Sequence, residues 1–407
     1  MTQYAVTSVG GVLKSATYPT KYYAAHYDGG ANMTFMLDAD FASLGADVLA
    51  IPNFPISSLT TSPITMPASF FGMSVKDRAN DTLSGVTAST VRSHDIANGK
   101  GRWQKIEYAE GLYDWTELDQ WVDAHYAAGR DIIFTLFGTP AWASARPSET
   151  SAYAYGTYGV GSFGNYGMAA EPADLAKWDN YCTTIATRYL GKIKYYEVGN
   201  EVNLTGFYSG TKTILAQMVR RANQIIKAID PTAKIISPSI QGWIATAAGA
   251  SETYFTDMMA ASDGAAGTMK DWVDIIAVHL YLPSVNQVKD LAGIIDRINA
   301  AKTTAAVTSK ETWDTESAPI GGDASTLTDS QATILMARMM ITMAAKGIAR
   351  TIYYQYDHGT MGFYGRSDVV TYRETLRTLL MSGTMLNASK FTDGRVAYWT
   401  TGGVVII

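Results

Sequence analysis

From residue 70 onward the chain alternates short apolar, β-prone runs with stretches of helical periodicity, and it does so eight times. The runs are "FFGMSV" (70–75), "STVRSH" (89–94), "DIIFTLFG" (131–138), "IKYYEVGNE" (193–201), "KIISPS" (234–239), "DIIAVHLY" (274–281), "ETWDTES" (311–317) and "RTIYYQY" (350–356). Helical patterns separate most of them. In "WTELDQWVDAHYAAG", Trp115, Leu118, Trp121 and Val122 recur at helical spacing and Gly129 ends the segment. Alternating strand and helix implies a parallel sheet. Eight units in roughly 300 residues predict a closed (β/α)8 barrel, the TIM-barrel class. The first connection, "KDRANDTLSGVTA", is too short to hold a full helix.

The flanks read differently. Residues 1–66 are rich in Gly, Ser, Thr and Ala, and "SLTTSPITMPAS" has linker character. "RVAYWTTGGVVII" reads as two strands around Thr401-Gly402-Gly403. The expected organisation is a small β-rich extension (1–66), the barrel (67–387) and a C-terminal hairpin (388–407) packing on the barrel or the extension. Hydrophobic residues at 47% and charged ones at 17% allow a large core. A net charge of −5 with no basic cluster argues against a nucleic-acid partner. No apolar run reaches the ~18 residues of a membrane span. The opening "MTQYAVTSVGG" lacks the charged start and apolar centre of a signal peptide. The expectation is a cytoplasmic chain, a processed one, or one exported by another route. Cys182 is the only cysteine, which rules out an intramolecular disulfide. Its stripe of Leu175, Trp178, Ile185 and Tyr189 marks it as a core thiol.

In such a barrel the reactive groups stand at the C-terminal ends of strands. Here the second strand ends in Arg92, Ser93 and His94, and the third leads into Trp142. The fourth ends in Asn200 and Glu201, the sixth in His279 and Tyr281, the seventh in Glu316, and the eighth in Gln355 and Tyr356. Glu201 and Glu316 are thus expected to face one another across the mouth. Cleaving a glycosidic bond needs one carboxylic acid to protonate the leaving oxygen and a second carboxylate to attack or to activate water. The two must hold different protonation states at one pH, so their surroundings must differ. Arg92 and Tyr281 are placed to keep Glu316 ionised, and Glu201, farther from cations, to keep its proton. Asn200 suits a sugar hydroxyl beside the reacting carbon. Glu197 shares the strand parity of Glu201 and is expected one layer lower, as a buried partner for a base such as Arg92. His94, His279 and Tyr356 are candidate pocket residues. Trp142, Trp243 and Trp313 are candidate platforms for sugar rings, since aromatic faces stack on flat apolar ligand faces. The 25 tyrosines and nine tryptophans fit a carbohydrate partner, though most must fill the core.

The stretch "YYEVGNEVN" resembles the strand-four motif Phe-Glu-Ile/Val-Trp-Asn-Glu-Pro-Asn of clan A glycoside hydrolases, in particular family 39. "TVRSHD", "TLFGTPAWAS", "VHLY" and "WDTESA" resemble the second, third, sixth and seventh strands of that group. The resemblance covers roughly residues 70–385. It implies a retaining enzyme with a covalent glycosyl intermediate, Glu201 as acid/base and Glu316 as nucleophile. It also implies Asn200 at the sugar 2-hydroxyl and Arg92 with Tyr281 positioning the nucleophile. Gly199 and Val202 depart from the motif, which has tryptophan and proline there.

Other chemistries fit less well. A metal-dependent barrel hydrolase would need ligand histidines on the first strand, and "FFGMSV" has none. No cofactor is expected. A carbohydrate-binding barrel without turnover is the alternative from another class, and an inverting mechanism would need the two carboxylates farther apart, at ~6.5–9.5 Å.

Overall fold

In the computed structural model the described residues are 66–94, 96–151, 166–243, 250–282, 291–318, 329–357 and 362–381, together with strand segments in the two flanks. Eight strands close a parallel barrel: β1 (Phe71–Ser74), β2 (Thr90–Arg92), β3 (Asp131–Leu136), β4 (Tyr195–Val198), β5 (Lys234–Ile236), β6 (Ile275–His279), β7 (Glu311–Ser317) and β8 (Ile348–Tyr353). β8 closes onto β1 through Thr351–Phe71, Ile352–Gly72 and Tyr353–Met73. All eight coincide with the runs read from the sequence.

The helices of the outer ring are α1 (Thr116–Ala127), α2 (Leu175–Arg188), α3 (Lys212–Ile229), α4 (Ala250–Met259), α5 (Leu291–Thr304), α6 (Asp329–Ala345) and α7 (Ser367–Met381). No α-helix joins β1 to β2; the link holds a single 3₁₀ turn, Arg78–Asn80. α3 illustrates the local logic. The Thr211 side chain accepts from the Ile214 amide and caps the helix start. Leu215, Met218, Val219, Ala222 and Ile226 then repeat at three- and four-residue steps and are all buried. Each fully buried Leu, Val or Ile contributes about 1.5–3 kcal/mol relative to exposure, so one stripe of this kind holds the helix on the sheet. α2 presents Trp178, Tyr181, Cys182 and Ile185 in the same way.

Inside the barrel, side chains alternate with those on the outer face. Ile133, Tyr195, Ile236, Ile275, Ala277, Trp313 and Ile352 form one interior cluster. Trp313 is therefore corrected: it is not a sugar platform. It lies in β7 three residues before Glu316, about 10 Å lower at the rise of a strand. There it is 3% exposed, covered by Arg350 at 4.1 Å.

Beyond α7, strand β9 (Thr384–Lys390) pairs antiparallel with β10 (Val396–Thr400), and β10 pairs with β11 (Gly403–Ile406). β9 also pairs with Ser57–Ser58 and Ile64–Thr65, so both flanks contribute to one sheet. No helix among the described residues is long and apolar enough to cross a membrane.

Candidate active site

Arg92, the last residue of β2, organises the barrel mouth. Its guanidinium donates from Nε to Glu197 Oε2 (2.7 Å), from Nη1 to Glu316 Oε2 (2.6 Å) and from Nη2 to Asn200 Oδ1 (2.7 Å). Burial works against its charge, and the two carboxylates overcome that and hold it protonated. Glu197 also accepts from Thr135 Oγ1 (3.2 Å) and Thr315 Oγ1 (2.8 Å). Its side chain is 0% exposed, against 8% for Glu316 and 11% for Glu201. That contrast separates a carboxylate enclosed by protein from two that reach the cleft.

β4 ends in a turn that brings two consecutive side chains toward the site. Gly199 has φ 85° and Glu201 φ 42°. At that positive φ a Cβ on residue 199 would also meet Val202 Cγ1 at 2.8 Å, and both favour glycine in this chain. The Glu201 amide is held by Ser239 Oγ (3.0 Å) from the loop after β5. Its Oε1 lies 2.9 Å from His279 Nδ1. Burial lowers the His279 pKa to about 4, so the ring is neutral at ordinary pH. His279 Nε2 and Asn200 Nδ2 are buried and have no hydrogen-bond partner among the described residues.

Glu316 accepts from Tyr281 OH (2.5 Å) and from Arg92. Burial pushes its carboxyl above the usual carboxylate range, and Arg92 and the Tyr281 bond pull the other way without cancelling it. The expectation that Arg92 and Tyr281 keep Glu316 ionised is therefore opposed by its burial. One atom each of Glu201, His279 and Glu316 lie within 4.8 Å of one another. This is the group of described residues with spacing fit to share a cation, and Arg92 already supplies positive charge beside it.

Seven of the sequence candidates (Arg92, Asn200, Glu201, His279, Tyr281 and Glu316, with Glu197 beneath) converge here. Others do not. Trp243 is 2% exposed, donates to Ile240 O (3.0 Å) and packs on Phe255, so it has no free face. Tyr356 is buried and donates to Ser84 O (3.1 Å), a packing role. His94 is buried against Phe137 and Phe207, at ring distances of 5.0 and 6.1 Å. Trp142 is half-buried: its indole N–H goes to Glu107 O (3.1 Å) and its ring meets Trp103 edge-on. His358, which follows the eighth strand in the sequence, and residues 152–165, part of the tyrosine- and glycine-rich segment 148–172 that follows the third, lie outside the described residues.

Sequence reasoning missed Tyr354, just past β8, which is half-buried and meets Tyr281 edge-on at 6.1 Å. The strand-end rule was enough to find it. It also missed Ser239, Thr135 and Thr315, whose hydroxyls support the glutamates and carry no signal of their own in the sequence.

No protein-family profile matches the chain. A stretch of 150 residues, 35% of the chain, is 25% identical to an alpha-1,4-L-rhamnosidase of Formosa agariphila, and it spans only 29% of that protein's length. The fold is similar to that of a glucosidase from Croceicoccus marinus, with a TM-score of 0.58 and 16% identity over 86% of this chain and 77% of that one. It is similar to a monomeric beta-xylosidase from Caulobacter crescentus, with a TM-score of 0.57 and 17% identity over 83% and 74% of the two chains. The GH39 enzyme of Xanthomonas axonopodis pv. citri follows, with a TM-score of 0.55 and 18% identity over 84% and 74%. With these three proteins the chain shares the fold of a closed (β/α)8 barrel.

Proposed function

We propose that the chain is a retaining glycoside hydrolase acting on a poly- or oligosaccharide, with Glu316 as nucleophile and Glu201 as general acid and base. The observation that carries this reading is the close approach of Glu201 and Glu316, with oxygens within 4.8 Å, in unlike surroundings. That approach supports the ~5–5.5 Å carboxyl separation of retaining sites over the ~6.5–9.5 Å of inverting ones. Glu316 attacks the anomeric carbon while Glu201 protonates the departing oxygen. Glu201 then takes a proton from the water that releases the sugar.

The surroundings support the division of roles. Arg92 and Tyr281 donate to Glu316, orienting both its oxygens. A neutral His279 adds no positive charge beside Glu201, so it does not draw off the proton that an acid needs. Arg92 occupies Asn200 Oδ1, which leaves the amide's NH₂ to donate to a hydroxyl next to the reacting carbon. The likeness in fold to a glucosidase and a xylosidase, and the partial match to a rhamnosidase, support glycosidase activity.

Glu316→Ala tests the proposal. Activity on an aryl glycoside should vanish and return in part with azide, giving a glycosyl azide of inverted configuration. An azide product of retained configuration would remove Glu316 from the nucleophile role.

A further inference from the structure

β7 breaks the two-residue alternation of a strand. Trp313 and Thr315 face the interior: Trp313 lies in the interior cluster, and Thr315 Oγ1 donates to Glu197 (2.8 Å). Strict alternation would then point Glu316 outward, toward the helices. Instead Glu316 faces Arg92 and Tyr281 in the mouth. The registers on both sides locate the irregularity. Val278 pairs with Asp314, yet the next residue, His279, pairs with Glu316. Thr351 pairs with Asp314, yet Tyr353 pairs with Ser317. Against both neighbours β7 therefore carries one extra residue between Asp314 and Ser317, a bulge that re-aims a side chain.

Asp314 stands where the bulge begins, on the outer face of the strand, and is 0% exposed. Its Oδ1 accepts from the Leu280 amide at the end of β6 (3.2 Å). Its Oδ2 accepts from Thr351 Oγ1 of β8 (2.7 Å) and from the Ser317 hydroxyl at the far side of the bulge. One carboxylate thus ties three adjacent strands together at the point where β7 departs from regularity. An ionised carboxylate has about four acceptor sites, enough for all three donors.

We infer that Asp314 is a positioning residue, whose carboxylate fixes the β7 bulge that turns Glu316 into the barrel mouth. Its effect on turnover rests on the proposed role of Glu316; its effect on the geometry does not.

Two substitutions separate the possibilities. Asp314→Ala removes every acceptor. Asp314→Asn keeps the pin, because its Oδ1 still accepts from Leu280 while its NH₂ donates to the Ser317 and Thr351 hydroxyls, which rotate to accept. In a crystal structure of Asp314→Ala, Glu316 should lie out of hydrogen-bond reach of Arg92 and Tyr281, and in Asp314→Asn it should keep both. On a substrate that the wild type turns over, the Ala variant should lose on the order of 100-fold in kcat with KM little changed, as for a reacting group misplaced by about 1 Å. The Asn variant should recover most of that loss. If Asp314→Ala does not fold, Ser317→Ala combined with Thr351→Val leaves Asp314 tied only to Leu280, and the same displacement of Glu316 is expected. An unmoved Glu316 in the Ala or the double variant, or an Asn variant as impaired as Ala, overturns the inference. The structural arm needs no substrate. A wild type that cleaves no glycoside would count against the proposed function and leave this inference to be decided by the position of Glu316.

Discussion

Replacing Asp314 by asparagine should make stability less dependent on pH. Burial raises the Asp314 pKa from 3.8 to about 7, opposed by the Ser317, Thr351 and Leu280 donors and by Arg92. The folded state therefore binds a proton that the unfolded state releases near its ordinary pKa. Below pH ~4 both states hold the proton and there is no penalty. As pH rises the unfolded state loses it first, and the fold is weakened by about 1.4 kcal/mol per unit until the folded group ionises too, near pH 7. The gap between 3.8 and about 7 corresponds to a cost of about 4 kcal/mol, complete above that point. Asparagine never ionises and keeps the three bonds, so it escapes this cost. Urea denaturation of both proteins from pH 4 to pH 8 measures it, and taking the difference removes the titrations they share. The stability of Asp314→Asn relative to wild type should climb by up to about 4 kcal/mol across that range. A flat difference would mean that Asp314 is already ionised in the fold at low pH, with its donors outweighing burial, and the reasoning would fail.

Three further outcomes are expected. Glu201→Ala should slow substrates with poor leaving groups far more than those with good ones, because only the former need protonation; equal losses would argue against an acid role. The His279 ring should show no protonation step above pH ~5 in a nitrogen NMR titration, since burial holds its pKa near 4. Glu197→Gln should move the acidic limb of the kcat/KM profile down by about one unit, because removing a buried negative charge leaves Arg92 less divided in favour of Glu316. An upward shift would instead mean that Glu197 acts by holding Arg92 in place.

The barrel was legible because each strand is a separate apolar run between turn residues, and that pattern survives without knowledge of packing. The strand-end rule then found Arg92, Asn200, Glu201, His279, Tyr281 and Glu316 by position. It misassigned aromatics because nearness to a strand end along the chain does not say which way a ring points. Trp313 lies deep in the interior, while Trp243 and Tyr356 turn away and spend their polar atoms on Ile240 O and Ser84 O. The β7 bulge could not be read at all. In "ETWDTES" the residues that create it are ordinary strand residues, and only the registers against β6 and β8 expose the extra one.

The three donor directions of Arg92 give the site its asymmetry. A lysine in its place would offer a compact charge without the planar fork that reaches Glu197, Glu316 and Asn200 at once. Because one N–H binds the enclosed Glu197, the guanidinium charge is shared, and Glu316 receives an oriented donor without full neutralisation. That is consistent with a carboxyl that burial still holds above its usual range. Because another N–H claims Asn200 Oδ1, the amide cannot flip, and its NH₂ stays buried without a partner among the described residues. A buried donor in that state costs about 1–3 kcal/mol, and a ligand hydroxyl accepting from it recovers that cost on binding. One residue thereby orders the attacking group and leaves a directed donor for the sugar beside it, which is why the proposed division of roles depends on Arg92 as much as on the two glutamates.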